Sequence, residues 1–330
     1  MADYRESAIP RIDLGDFAVA DGSGRREIGR LVDLACRNTG FLVIANHGVS
    51  ADIVDAAWLA ARNFFDRPLE RKLEVRPPRH DDPRGYFPLE FEALTRSRGV
   101  ETAPDPKESF SCGPLTRPAN RTSTEDFDFF YGPNRWPATP VHFKDAWTAY
   151  YRAMEILGAR IMELFAVALD LPGDYFAAFH DAHVSALRGL NYPESPAPDT
   201  PRQQRAGAHS DYGSVTILKP DPAVGGLELR LPSGEWLEAP EIGNEFLVNI
   251  GDLLARWTND RWVSTLHRVT TADSIPGNRV PRRQSIAYFQ NPNPDARIAA
   301  LPGCVPTGEL PGYEPVQAGP YLRGQFLSAV

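Results

Sequence analysis

A histidine and an aspartate two residues apart, with a second histidine in another strand-like stretch, make a residue set able to hold a metal ion. The chain carries His209 and Asp211 in "RAGAHSDYGSVTIL" and His267 in "STLHRVTT". On a strand, residues i and i+2 share a face, so His209 and Asp211 are expected side by side with Ser210 turned away. The pair alone reads equally well as two solvated polar groups. Adding His267 on a neighbouring strand gives two imidazoles and one carboxylate on one side of a metal. Those donors suit Fe(II) and leave positions open for substrate and oxygen. Of the seven histidines, the remaining five fit this chemistry less well. His47 follows an apolar run and reads as a structural hydrogen-bonding group, and His80 and His142 as solvated. His180 and His183 are spaced for one helix face, but no glutamate completes a His-Glu-x-x-His zinc pattern.

A second constellation lies downstream in "VPRRQSIAYFQNP". Alternation puts Arg283, Ser285, Ala287 and Phe289 on one face of a strand. A guanidinium fork beside a hydroxyl is good chemistry for holding a carboxylate through two hydrogen bonds. Arg-Arg-x-Ser also reads as an exposed phosphorylation motif, but the apolar residues after it favour burial.

These residues need a scaffold to position them. The stretch 24–39 has a helical apolar stripe closed by Gly40, and "FLVIANHG" reads as a short buried strand. Ser50 can cap a second helix, "ADIVDAAWLAARNFF", which Pro68 ends or kinks. Residues 76–140 are rich in Pro, Arg, Asp and Gly and read as mostly irregular. Within them 80–112, including Gly85-Tyr86-Phe87, is the candidate cover over a site. A long helix follows over roughly 141–169, with Trp147, Tyr150, Met154, Leu157, Ile161 and Leu164–Phe165 on one stripe. From about residue 185 short strands recur, at 186–192, 213–218, 227–231, 236–238, 246–250, 264–271 and 285–290. Helices first and then many short strands imply an α+β fold with a jelly roll at the C-terminal end. The expected organisation is an N-terminal region, 1–140, packed on a core at 141–330 that includes its backing helix, the two forming one structural unit.

Composition sets the outer limits. In 330 residues, 42% are apolar and 24% charged, as in an ordinary globular protein. A net charge of −8 argues against a nucleic-acid partner. Three cysteines at unrelated spacings suggest reduced thiols. No signal-peptide pattern or membrane-length apolar run is visible, so a soluble, cytoplasmic, monomeric protein with no membrane partner is expected.

Taken together, "IPRIDL", "GFLVIANHGV", "LNYP", "HSDYGSVTIL", "LHRV" and "RRQSIAYF" resemble, in order and spacing, the Fe(II)/2-oxoglutarate-dependent dioxygenases of the isopenicillin N synthase-like family. The resemblance spans nearly the whole chain and implies a distorted double-stranded β-helix preceded by helices. It implies iron ligands at His209, Asp211 and His267, and 2-oxoglutarate contacts at Arg283, Ser285 and Tyr192. Leu190 stands where many plant members carry asparagine. "DPKESF", "GDLLARW" and "RRQSIAYFQNPN" are further similar to the thymine 7-hydroxylase branch of the family. That similarity implies Arg188, Tyr212 and Phe289 as contacts to a planar substrate, where ring stacking is physically sensible; Tyr212 and Phe289 also read simply as site-wall residues. The implied activity is hydroxylation or desaturation of a small-molecule C–H bond, using O2 and converting 2-oxoglutarate to succinate and CO2, with ascorbate supportive. Two alternatives stay open: an iron oxidase of the same fold that needs no 2-oxoglutarate, and a metal-binding jelly roll without turnover.

Overall fold

The computed structural model describes residues 8–95, 99, 103–119, 124–196, 204–271 and 279–329. In chain order the main strands are β1 (Arg11–Asp13), β2 (Phe41–Ala45), β3 (Gly85–Phe87), β4 (Glu108–Cys112), β5 (Ala186–Tyr192), β6 (Gln204–His209), β7 (Val215–Lys219), β8 (Leu227–Arg230), β9 (Trp236–Glu238), β10 (Phe246–Ile250), β11 (His267–Thr270) and β12 (Arg283–Gln290). The helices that matter here are α1 (Gly22–Asn38), α2 (Ala51–Phe65), α3 (Phe143–Ala168), α4 (Asp252–Trp257) and α5 (Ala318–Ala329). An eight-stranded sheet runs β1-β2-β10-β7-β12-β5-β4-β3, and a four-stranded sheet runs β9-β8-β11-β6. All pairs are antiparallel except β1–β2.

Strand register sorts the large sheet into two faces. Arg283 pairs with Tyr192, Ser285 with Leu190, Ala287 with Arg188 and with Leu218, and Phe289 with Thr216. Next along the sheet, Leu247 pairs with Leu218 and Val43, and Asn249 with Thr216 and Phe41. These residues share one face, which packs toward the small sheet through Phe41, Val43, Tyr192, Ala206, Leu229, Leu247 and Val269. The alternate residues, among them Leu42, Ile44, Leu187, Ile217, Val248, Ile286 and Tyr288, join the larger core on the other face. There α3 lies as the backing helix, with the expected stripe from Trp147 to Phe165 buried, and α1 and α2 pack on α3 in turn.

Local rules explain the helix boundaries. Asp21 caps α1 by accepting from the Ser23 and Gly24 amides at 2.9 and 2.8 Å. Gly40 ends it at φ +65°, where a Cβ would lie 2.2 Å from the Val263 carbonyl oxygen. Ser50 holds the N-cap position of α2 with an extended backbone, yet its side chain makes no capping bond. Pro68 ends nothing itself: α2 stops at Phe65, and Pro68 opens a short helix, Leu69–Leu73.

The expected irregular stretch 76–140 differs more. Gly85–Phe87 and Glu108–Cys112 are fully buried strands at the edge of the large sheet. Those parts of 80–112 are therefore framework and not cover; residues 96–98 and 100–102 lie outside the described residues. Strands from both sides of residue 140 hydrogen-bond in one sheet. The strand expected to begin at residue 213 begins at Val215, and the one expected from 264 begins at His267. Among the elements that were not expected, α4 and α5 both bear on the site. Among the described residues no helix is long and apolar enough to cross a membrane, and the three cysteines are free and buried.

Candidate metal and cosubstrate site

His209 is the last residue of β6, and β11 places His267 directly opposite it, with ring centroids 4.4 Å apart. Asp211 lies beyond the strand, in a turn over 210–214, and not on the strand itself. That turn is held by the start of α4: the Gly251 amide donates to the Ser214 carbonyl at 2.9 Å, the Asp252 amide to the Asp211 carbonyl at 2.7 Å, and the Leu253 amide to the Gly213 carbonyl at 3.1 Å. Backbone donors that a helix start leaves unpaired thus fix the loop that carries the carboxylate.

One ligand atom from each of His209, Asp211 and His267 lies within 4.8 Å of the other two. The second donor atom of each side chain is tied down. His209 Nδ1 faces the Gly207 carbonyl at 2.7 Å, and His267 Nδ1 faces the Thr265 carbonyl at 3.1 Å. Asp211 Oδ2 accepts from Thr216 Oγ1 at 2.6 Å and from Asn249 Nδ2 at 2.7 Å. Both Nε2 atoms and Asp211 Oδ1 remain for a shared ion, the outer-contact pattern that orients metal ligands. Burial, reinforced by His267, pushes His209 down to about 4, which keeps it in the neutral, ligating form. Burial alone would raise Asp211, but His267, His209 and the bonds from Asn249 and Thr216 outweigh it and hold the carboxylate ionised. The donor set therefore fits a divalent iron. Among the described residues this is the one cluster of its kind. His180 and His183 do not join in such a cluster: His180 Nδ1 bonds the Phe176 carbonyl, and His183 faces Glu155. His47 does bond structurally, to the Asn244 carbonyl at 2.7 Å, and His80 and His142 are exposed.

Arg283, Ser285 and Tyr192 stand together on the inner face. Arg283 is 2% exposed, and its bonds to the Gly225 carbonyl (3.3 Å) and Ser285 Oγ (3.4 Å) are long. Among the described residues no carboxylate pairs with it. A buried guanidinium in that state fits an incoming anion, because an unpaired buried charge is costly. The guanidinium groups of Arg283 and Arg205 each lie 5.4 Å from the ring of Tyr192. Arg205, in the quoted stretch but passed over, thus adds a second cation beside the tyrosine.

A cavity of about 180 Å³ opens onto His209 and Asp211. Arg188, Tyr212 and Phe289 all line it, as do Leu190, Lys107, Phe129, Leu322 and Phe326. The last two come from α5, which is pinned by Arg323 to Glu125 and by Phe326 edge-on to Phe129 at 5.7 Å. Nothing in "QAGPYLRGQFLSAV", with its two glycines and a proline, marks this helix as a pocket wall. Asn249 and Thr216 were missed as well, since nothing local distinguishes them from strand residues.

Two family models match the chain. Residues 9–139 fit the non-haem dioxygenase in morphine synthesis N-terminal region, and 183–292 fit the 2OG-Fe(II) oxygenase superfamily. The 2-oxoglutarate-Fe(II) type oxidoreductase hxnY of Emericella nidulans is 31% identical over 97% of this chain and 90% of its own length. Validamycin A dioxygenase of Streptomyces hygroscopicus is also 31% identical, over 94% of this chain and 84% of its own length. The solved structure of Neurospora crassa thymine 7-hydroxylase with alpha-KG superposes with a TM-score of 0.85 at 33% identity, covering 97% of this chain and 96% of that one. Convergent ligand atoms, an unpaired inward arginine and relatives matched nearly end to end lead to one conclusion: the chain belongs to the 2-oxoglutarate- and Fe(II)-dependent oxygenases.

Proposed function

We propose that the enzyme oxidises a C–H bond of a small, single-ring molecule, by hydroxylation in the first instance. In this reading His209, Asp211 and His267 hold the iron, and Arg283, Ser285 and Tyr192 hold 2-oxoglutarate. Bound Fe(II) with 2-oxoglutarate and O2 supplies the oxidising power, with succinate and CO2 as co-products. The chain's own residues do the rest. Asn249 and Thr216 keep Asp211 oriented, Arg283 with Ser285 pairs the far carboxylate, and Arg188, Tyr212 and Phe289 orient the substrate ring. The two sheets form the distorted double-stranded β-helix, with the N-terminal strands as part of the same unit.

The observation that carries this reading is the convergence of three ligand atoms whose partner atoms are each tied to the framework. Size supports the substrate class: an apolar cavity of about 150 Å³ admits benzene, and this one is about 180 Å³. Relatives of near-equal identity carry names that point to validamycin A and to thymine, so the pocket, and not the overall likeness, has to decide the substrate. Succinate formation with Fe(II), 2-oxoglutarate and ascorbate, screened over pyrimidines and small methylated aromatics, tests the proposal. Stimulation by a single-ring compound is expected; stimulation only by extended multi-ring or peptide substrates would refute the size argument. Oxygen uptake without added 2-oxoglutarate would restore the cosubstrate-free oxidase.

A further inference from the structure

Among the described residues, three cationic side chains line the cavity that opens onto His209 and Asp211: Lys107, Arg188 and Arg84. Two of them are matched by acids. Lys107 Nζ lies 3.2 Å from Glu92 Oε2 and 3.1 Å from Asp105 Oδ2, and Arg188 Nη1 lies 2.9 Å from Glu92 Oε1. Arg84 has no such partner among the described residues. It is 3% exposed, its side chain donates from Nη1 to the Phe129 carbonyl at 2.6 Å, and its Nε is shielded from solvent with nothing to bond. Asp82, the acid that acts on it most, is engaged elsewhere: one oxygen pairs with Arg135 at 3.1 Å and the other takes the backbone amide of Arg84 at 3.2 Å. Asp211, the acid in the cavity wall, is held by Asn249 and Thr216 and faces the two histidines. Burial pulls the Arg84 guanidinium below the ordinary arginine range, and Asp82 offsets this only in part; an arginine nonetheless stays charged.

The place of this cation is built into the fold. Arg84 immediately precedes β3 at the edge of the large sheet, with β4, β5 and β12 between it and β7, whose Thr216 steadies Asp211. A Cβ at Gly113 would lie 2.8 Å from Arg84 Nη2 and 2.9 Å from Nε. Gly113 cannot yield easily, because the Asn134 side chain accepts from its amide at 2.8 Å and donates to its carbonyl at 3.2 Å. The guanidinium therefore sits where it does because residue 113 has no side chain. Phe129, Phe130, Leu322 and Phe326 line the same cavity, and apolar walls strengthen any ion pair formed between them. On the reading of this cavity as the substrate site, we propose that Arg84 anchors a carboxylate of the substrate, so that the enzyme takes a small single-ring acid. The anion would pair a buried charge that has no other acid to meet. At Lys107 or Arg188 the same carboxylate would have to displace a buried ion pair. An ammonium group would be repelled by Arg84.

Acids and their neutral counterparts test it: benzoate with benzamide, phenylacetate with phenylacetamide, and 5-carboxyuracil with thymine. Each is titrated by thermal shift into protein loaded anaerobically with Fe(II) and saturating 2-oxoglutarate, which in the proposed site occupies Arg283. At least one acid is expected to stabilise wild type and to bind about tenfold tighter, or more, than its neutral counterpart. Arg84→Met is expected to remove that preference. Should Arg84→Met not fold, Gly113→Ala pushes the guanidinium aside without removing a charge and is expected to lose the preference as well. Neutral members that bind wild type as tightly as the acids would overturn the anchor and leave the single-ring reading standing. An acid preference undiminished in the folded variants would overturn it too, because the anion would then sit away from Arg84. No response to any member would also overturn the anchor, and the wider screen for succinate formation then decides the single-ring reading separately.

Discussion

Asp211 presents one carboxylate oxygen to the point where His209 and His267 converge and anchors the other on Asn249 and Thr216. Such outer contacts typically matter about 10–100-fold in metal affinity. Asn249→Ala is therefore expected to weaken Fe(II) binding within that range while the fold stays intact. Competition with a colorimetric chelator measures it, and an unchanged affinity would mean that Asp211 needs no orienting partner. Much of this residue-scale picture was legible in the sequence. Histidine is scarce in the chain, seven in 330 residues, so His209 and His267 stood out with Asp211 beside the first, and alternation alone put Arg283, Ser285 and Phe289 on one face. Glu92 was not legible, because its partner Arg188 lies 96 positions away and no local pattern links a glutamate to so distant a cation.

At the scale of elements, the turn 210–214 is only as well placed as its support. A Cβ at Gly251 would lie 2.2 Å from the Gly213 carbonyl oxygen and 3.0 Å from that of Asp211. Gly251→Ala must push the turn away from α4. Overpacking of this kind costs about 1–3 kcal/mol, and here the displaced segment carries Asp211, a proposed metal ligand. The variant is expected to lose Fe(II) affinity and melting temperature together, by chelator competition and calorimetry. Loss of stability with normal iron binding would show that the turn holds its shape without α4. Strands and long helices were readable because their apolar periods are local. The shortness of α4 and the glycines and proline of α5 hide those helices, which depend on tertiary contacts such as those of Leu253, Trp257 and Leu322 with the core. The edge strands β3 and β4 were hidden by the surrounding prolines and charges.

On the scale of the whole molecule, one core backs the sheet and a smaller one fills the space between sheets. His180 is half-buried with its Nε2 shielded from solvent, and burial pushes it down to about 4. Its folded-state value lies below the ordinary 6.5, so the unfolded chain binds the proton more readily and stability falls as pH drops from about 6.5 toward 4. His209 shifts the same way. For the metal-free protein, His180 alone is expected to cost about 2 kcal/mol between pH 7.5 and pH 5. His180→Gln is expected to flatten that part of the denaturation-versus-pH curve, and an equally steep curve would assign the acid sensitivity to other groups.

In the proposed site iron binds through His209, Asp211 and His267 and 2-oxoglutarate through Arg283. Anaerobic titration of Fe(II) and 2-oxoglutarate, followed by the visible charge-transfer absorption that arises when the two share a site, tests it directly. Wild type is expected to develop the band at a single equivalent of each. Asp211→Ala is expected to show none, and Arg283→Gln to keep iron but lose about 2–5 kcal/mol of 2-oxoglutarate binding. A band of full intensity in Asp211→Ala, or unchanged 2-oxoglutarate affinity in Arg283→Gln, would contradict this shared site.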